Sequence, residues 1–309
     1  MRIVFMGTPA AAAPSLQRCL AAGHEVVAVW TQPDRPSGRG NKVTASPVKE
    51  YALGRGLAVY QPAKIKTAEA KELFLSHSAE VAVVVAYGRI LPAEFLRAPR
   101  RGCLNVHFSL LPLYRGAAPV NWAIIHGEKK TGVTTMFVEE RLDAGPILLQ
   151  RETEIGDSET APELMARLSP LGAELLVETL AQFDSLTPRP QHDRDATFAP
   201  ILKKEDGLVN WSGSAFALDR CIRGFQPWPN AYTHSRSQRL IVWRAEAVSE
   251  SYPDAVAGQI ITAHGDDLMV RCDADTSLRI IEVQPEGKRR MSTRDFLNGT
   301  HLRAGERMG

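Results

Sequence analysis

The chain has 309 residues, 44% of them hydrophobic, with 37 Lys+Arg against 35 Asp+Glu and a formal net charge of +2, which predicts two domains with sizeable apolar cores and gives no bulk-charge signature of nucleic-acid binding. Four widely spaced cysteines, Cys19, Cys103, Cys221 and Cys272, with no C-x-x-C pair, argue against a zinc cluster or a disulfide framework and suit a reducing compartment. No apolar run approaches the ~18 residues of a membrane span and Met1–Phe5 is too short for a signal h-region, so a soluble, cytoplasmic protein is expected.

In chain order, Ile3–Met6 is the first strand-like run, followed by Gly7-Thr8-Pro9, which is not a dinucleotide G-x-G-x-x-G. Ala10–Ala22 is helical, with Gly23 as its stop. Glu25–Trp30 is a second strand. It feeds a basic Pro/Gly loop that carries Arg35, Arg39 and Lys42 and closes at Ser46-Pro47-Val48-Lys49. Pro47–Leu53 and Ala68–His77 have helical patterns, and Val81–Ala86 and Leu104–His107 are further strands. Thr131–Val138 and Ile147–Thr153 are later strands, and Glu159–Phe183 is a long helical stretch. Alternating strands and helices predict a mostly parallel, Rossmann-like α/β sheet with helices on both faces. Ligands of such sheets bind beyond the carboxyl ends of strands, where Gly7, Gly88 and Asn105–His107 fall.

That first domain is expected to span residues 1–187. A Pro-rich, charged stretch without periodicity, from Thr187-Pro188-Arg189-Pro190 to Asp206-Gly207, suits a linker over 188–206. Residues 207–309 contain the short strand-like pieces Leu240–Ala245, Gly258–Thr262, Leu268–Cys272 and Leu278–Val283, a pattern that suggests a small β-barrel.

The chemistry concentrates in Asn105-Val106-His107, at the end of an apolar strand. Period two places the Asn and His side chains on one face. Leu111-Pro112 and Arg115-Gly116 then mark an ordered loop, and Arg141-Leu142-Asp143-Ala144-Gly145-Pro146 offers a carboxylate in a second turn. An amide donor, an imidazole and a carboxylate suit acyl transfer to an amine. Fixed donors stabilise the charge that develops on a carbonyl oxygen, and a carboxylate could hold an imidazolium and take the proton of the attacking amine. An α-amino group has a reference pKa of roughly 7.7–8.0, so no activated Ser or Cys is required. On spacing alone, His107 as a strand-end histidine and Asp143 as a turn cap are equally open.

The string Asn105-x-His107-x-Ser109-Leu110-Leu111-Pro112, continued by Tyr114-Arg115-Gly116-Ala117-Ala118-Pro119, resembles the signature of the formyltetrahydrofolate-dependent formyltransferases. Met6–Pro9, Thr31–Lys42, Val83–Pro92, Arg220–Pro229 and Lys288–Met291 extend the resemblance over essentially the whole chain. It implies that Asn105, His107 and Asp143 form the catalytic set, and that Ser109, Leu110, Leu111 and Pro112, with main chain around Ile90, Leu91, Pro92 and Leu142, line the folate pocket. The Arg115–Pro119 extension is similar to members that act on initiator tRNA. The implied reaction passes a formyl group from 10-formyltetrahydrofolate to the α-amino group of initiator methionyl-tRNA, with no metal. The resemblance also implies an OB-like, tRNA-binding C-terminal domain, and a monomer is expected.

Phe108 stands where a small residue is commoner, and Leu113 where Arg is frequent; neither is one of the three polar groups. On charge alone, the loop bearing Arg35, Arg39, Lys42 and Lys49 is an ordinary solvated segment, but the resemblance implies that it meets the tRNA acceptor arm. Lys288, Arg289 and Arg290 form a second basic cluster suited to backbone phosphates. Trp228, between two prolines, is taken as packing. Two rival readings stand beside this one. One is formyl transfer to another amine, or hydrolysis of formyltetrahydrofolate. The other is a non-catalytic RNA-binding protein, which would be expected to lose Asn105, His107 or Asp143.

Overall fold

The computed structural model describes residues 1–37 and 42–309, in two compact units. The first comprises residues 1–119, 130–154 and 165–199. Its centre is a seven-stranded sheet in the spatial order Ile147–Glu154, Lys130–Phe137, Cys103–His107, Val81–Val85, Arg2–Gly7, Glu25–Trp30 and Val59–Tyr60. From the third strand to the last, every pairing is parallel, whereas Lys130–Phe137 runs antiparallel to both of its neighbours. This is the mostly parallel α/β sheet that the alternation of strands and helices predicts.

The central strands are long in Val and buried on both faces. All five residues of Val81–Val85 are buried, as are Ile3, Val4, Phe5 and Met6, as expected where helices cover a parallel sheet. Helix Ala161–Ala181 lies close over the strand bearing the site. A Cβ at Gly172 would stand 2.8 Å from Val106 Cγ1 and 3.1 Å from Val133 Cγ1, so only glycine permits that approach. Val106 points to this helix, and period two therefore turns Asn105 and His107 to the other face. The register pairs Val84 with Asn105 on one side, and Met136 with Asn105 and Thr134 with His107 on the other. Short helices are set by side-chain caps: Ser46 accepts from Lys49 N ahead of Pro47–Gly54, and Thr67 from Ala70 N ahead of Ala68–Ser76.

The basic stretch after the second strand contains two three-residue strands, Arg35–Ser37 and Lys42–Thr44, paired antiparallel. Period-two patterning does not announce them in so short and polar a sequence. Residues 188–199 have no long element of their own, yet Arg189 bridges to Ile147 and Phe198–Ala199 pairs in parallel with Arg115–Gly116.

The second unit comprises residues 120–129, 155–164 and 200–309. Its antiparallel sheet runs Tyr232–Ser235, Gln238–Val248, Ser277–Pro285, Asp267–Arg271 and Ile260–His264, with Met291–Ser292 also paired to Ser277–Pro285. The first hairpin turns through Arg236 and Ser237, at φ 48° and 65°, the left-handed pair that a tight two-residue turn needs. Trp211, Leu218, Ile222, Val242, Ile280 and Phe296 contribute to its core. Helix Ala215–Gly224, capped by Ser214, lies against residues 121–125. Asn121 Nδ2 donates to Gly224 O at 2.7 Å and Arg220 Nε to Ile125 O at 3.3 Å, while a Cβ at Gly224 would meet Ile125 Cγ1 at 2.5 Å.

Candidate active site

His107 ends its strand almost fully buried, 5% exposed. Its Nε2 lies 2.9 Å from Tyr114 O. A carbonyl only accepts, so Nε2 carries a proton and donates. The other nitrogen, Nδ1, faces Asp143 Oδ2 at 3.7 Å, an ion-pair separation rather than a hydrogen bond. His107 therefore has a hydrogen-bond acceptor at Nε2 and a carboxylate at ion-pair distance from Nδ1. Two elements far apart in sequence thus meet: the strand end at 107 and the turn at 143.

Asp143 is itself held. Its Oδ2 accepts from Gly116 N at 2.9 Å, and its backbone is left-handed at φ 47°. Gly116, at φ 127°, has no room for a side chain, since a Cβ would lie 2.5 Å from Ala199 O. Gly145 is equally constrained, with Phe137 O at 2.0 Å from a hypothetical Cβ. Asn105 is half-buried on the same strand face as His107, and its amide has no hydrogen-bond partner among the described residues. It is a donor aimed from the strand end with no structural bond to satisfy.

The turn after the strand is pinned from below. Ser109 Oγ donates to Leu113 O at 2.6 Å, and Thr134 Oγ1 donates to Ser109 O at 2.7 Å while accepting from Leu111 N at 3.1 Å. Gln150 Nε2 adds a bond to Leu111 O at 2.8 Å. Leu111 packs with Met136 and Ile147, and Leu110 lies over Gly132, where a Cβ would meet Leu110 Cδ2 at 2.6 Å. The side chains of Ser109, Leu110 and Leu111, with the Ser109 carbonyl and both main-chain groups of Leu111, are thus committed to the fold. Leu91 is buried and Pro92 precedes helix Ala93–Arg97. Ile90 and Leu142, by contrast, are 71% and 60% exposed, large apolar side chains left without cover. Phe108 is buried and Leu113 exposed.

The basic residues divide. Arg35 is exposed and carries no ion pair among the described residues, whereas Arg39 lies outside the described residues, as does the side chain of Lys42. Lys49 is engaged with Asp34 Oδ2 at 2.5 Å and Gln61 Oε1 at 2.7 Å, and the Lys49 ammonium holds the Asp34 carboxyl below its usual range. In the other unit Lys288 and Arg289 are exposed. Arg290 is paired with Glu282 and lies over the Trp243 ring at 4.9 Å. Burial pushes the thiols of Cys19, Cys103 and Cys272 up to about 12, so none of these offers a thiolate near neutral pH. No helix among the described residues is long and apolar enough to cross a membrane, and no group of three His, Cys, Asp or Glu among them could hold a metal ion.

Several residues that touch the site carry no pattern in the sequence. Gln191 Nε2 donates to Asp143 O at 3.0 Å and Gly145 O at 2.7 Å. Asp193 joins Arg115 at 2.9 Å to Arg141 at 2.7 Å, and these two guanidiniums, Arg141 first, hold its carboxyl down at about 2. Thr197 Oγ1 accepts from Tyr114 N at 2.8 Å. All three lie in the Pro-rich stretch that suits a linker. The only sequence signal there is a density of polar side chains, and spacing cannot say what they bind.

The chain matches the formyl transferase family over residues 1–180 and the formyl transferase C-terminal domain over residues 201–301. It is 48% identical over 311 residues to a methionyl-tRNA formyltransferase of Methylococcus capsulatus, with all of both chains covered. It is 46% identical over 311 residues to one of Solibacter usitatus, covering 100% of this chain and 99% of that one. Among solved structures, an N-formyltransferase from Helicobacter canadensis in complex with folinic acid and dTDP-3-aminofucose shares the fold. Its TM-score is 0.67 at 16% identity, over 92% of this chain and 99% of that one. HypX from Aquifex aeolicus, in complex with tetrahydrofolic acid, matches at TM-score 0.63 and 16% identity over 96% of this chain. The match takes in 47% of HypX, so this chain spans about half of its length. With both family regions matched in order and nearly half of all residues identical to full-length relatives, the chain belongs to the formyl transferase family, within its methionyl-tRNA formyltransferase group.

Proposed function

We propose that this chain transfers the formyl group of 10-formyltetrahydrofolate to the α-amino group of methionine on initiator tRNA, with Asn105, His107 and Asp143 as its catalytic residues. The observation that carries the reading is the approach of His107 Nδ1 to Asp143 Oδ2 at 3.7 Å in a chain 46% identical, over its full length, to a curated methionyl-tRNA formyltransferase. The folate co-substrate supplies the formyl group. The exposed Ile90 and Leu142 suit a planar aromatic ring system. The 109–112 turn and main chain at 90–92 line the rest of the folate pocket.

Asn105 Nδ2–H and the His107 imidazolium stabilise the negative charge that develops on the formyl oxygen as the amine attacks. Asp143 accepts the proton that the amine loses as its N–C bond forms. Asp143 then returns that proton to the departing N10 as its C–N bond breaks, so the exchange is balanced without redox chemistry. Asp143 suits this role because Gly116 N and His107 occupy Oδ2, while Oδ1 has no hydrogen-bond partner among the described residues.

Arg35, Lys288 and Arg289 serve the tRNA as phosphate contacts, with Arg39 and Lys42 of the same basic loop as Arg35. Arg290 has a smaller part, because Glu282 already neutralises it. A reaction on methionine charged for translation suits a cytoplasmic protein.

The direct test is an assay with purified protein, 10-formyltetrahydrofolate and charged initiator methionyl-tRNA, with free methionine and uncharged tRNA as controls. Formylmethionyl-tRNA is expected with the charged tRNA only. Folate turnover without that product would reject the acceptor and point to another amine or to water.

A further inference from the structure

The segment from Arg189 to Ala199 is bonded to both loops of the site. Arg189 exchanges two main-chain bonds with Ile147, each 2.8 Å, at the end of the 139–147 loop. Arg115 N donates to Thr197 O at 2.9 Å, and Ala118 N to Ala199 O at 3.3 Å, in the 107–118 loop. Between these anchors, Gln191 spans the two loops with one side chain. Its Nε2 bonds the carbonyls of Asp143 and Gly145 at 3.0 and 2.7 Å, and its Oε1 accepts from Arg115 Nε at 3.0 Å.

We propose that Gln191 is a positioning residue for the formyl transfer, fixing the Asp143–Gly145 turn so that the Asp143 carboxylate stays against Gly116 N and His107 Nδ1. The proposal rests on the reading of Asp143 as the proton acceptor.

The chemistry of the amide makes it specific. Two carbonyl oxygens need a donor, and a guanidinium N–H needs an acceptor, on opposite ends of one side chain. An uncharged amide offers two N–H donors at one end and an acceptor at the other, where a neutral imidazole has a single N–H for the two carbonyls. The flipped amide would set its NH2 against the guanidinium and its oxygen against two carbonyls, so the orientation is determined. Arg115 is 4% exposed and its Nη1 is held by Asp193, which Arg141 grips in turn. Gln191 is therefore braced against a buried guanidinium, which the more exposed Asp193 and Arg141 hold from the surface side.

The turn it braces needs support. Asp143 has a left-handed backbone, which a residue with a Cβ keeps only where its surroundings over-determine it. Among the described residues, the main-chain hydrogen bond inside this turn is a long one, Ala144 N to Arg141 O at 3.4 Å. With the Gln191 bonds gone, rotation of the 143–145 peptides swings the carboxylate away from His107. A displacement of about 1 Å in a catalytic group can cost on the order of 100-fold.

The test uses the full chain carrying Gln191→Met, which keeps the volume and removes all three bonds, and Gln191→Glu, which keeps the acceptor for Arg115 and opposes the two carbonyls. The expected result for each is a kcat lowered about 10- to 100-fold, with KM for 10-formyltetrahydrofolate and for methionyl-tRNA within twofold of the parent. Measured kcat is normalised to folded protein, so a merely structural role leaves it unchanged, and that outcome would overturn the proposal. If Gln191→Met does not fold, Gln191→Glu decides alone. Coupling to Asp143 is read from Asp143→Asn and the double variant. A residue acting through Asp143 adds less than threefold to the loss already caused by Asp143→Asn. Full additivity would overturn the positioning role and leave Asp143 as proton acceptor, whereas parental activity in Asp143→Asn would refute the reading of Asp143 itself and this proposal with it.

Discussion

Replacing Asp143 by Asn isolates the charge at the centre of the site from its architecture. The amide has the shape of the carboxylate, its Oδ still accepts from Gly116 N, and Asn tolerates the left-handed backbone at φ 47° at least as well as Asp. What disappears is the negative charge 3.7 Å from His107 Nδ1 and the capacity to take a proton. Two unit charges at that separation attract by about 4.5 kcal/mol at an effective dielectric near 20. Expressed fully in the transition state, this corresponds to about three decades of rate. A positioned general base is independently worth about 10²- to 10⁴-fold. Both routes lead to a kcat lowered by about 10²- to 10⁴-fold, with the melting temperature within a few degrees of the parent. The assay is formyl transfer at saturating methionyl-tRNA, paired with thermal unfolding by circular dichroism. A variant whose kcat stays within tenfold of the parent, while its fold is intact, would refute both the role of Asp143 as proton acceptor and its role in holding an imidazolium.

Gly145→Ala should destabilise the protein by more than about 2 kcal/mol and abolish transfer, because its Cβ would stand 2.0 Å from Phe137 O and backbone must move; an unchanged urea midpoint would contradict this. Asp193 is held down at about 2 by Arg141 and Arg115, so its contribution to stability is complete above the ordinary carboxylate range and is lost as pH falls from about 4 toward 2. Asp193→Asn should accordingly flatten the acid limb of a stability-against-pH curve in that window while lowering stability at neutral pH, and an identical acid limb in variant and parent would argue against the Arg115–Asp193–Arg141 tie. Replacing Lys288 and Arg289 together by Ala should raise KM for methionyl-tRNA, leave KM for the folate unchanged, and reduce the salt dependence of tRNA binding by roughly two counterions. An unaltered salt slope would remove this pair from the tRNA surface.

Much of the sheet was legible because its signal is local. Val81–Val85 and Ile3–Met6 are short apolar runs of the kind a strand buried on both faces carries, and Ser46-Pro47 is a cap and first-turn pair that any reader of helix starts would find. Helix Pro119–His126 was less so. It is short, and its residues from 120 onward belong to the unit that contains Ala215–Gly224, where contacts such as Asn121 to Gly224 secure it. The three-residue strands at 35–37 and 42–44 were equally hidden, since period two cannot be read over so few polar residues.

The site divides along the same line. The sequence by itself determined which groups the chemistry has to work with: Asn105 and His107 lie on one strand face by the period of two, and the Gly/Pro turns around Arg115 and Asp143 are local backbone requirements. Only the tertiary structure decided that the turn at 143 returns to within 3.7 Å of His107, that Ser109 and Leu111 are spent on the fold, and that a Pro-rich stretch near residue 190 reaches across two loops through Gln191 and Asp193. Propensity and periodicity follow from interactions within a few residues of chain. Pairings at separations of 27 to 78 residues, as in Gly116 to Asp143 and Arg115 to Asp193, are selected by the packing of whole elements and leave no periodic trace in the residues they join.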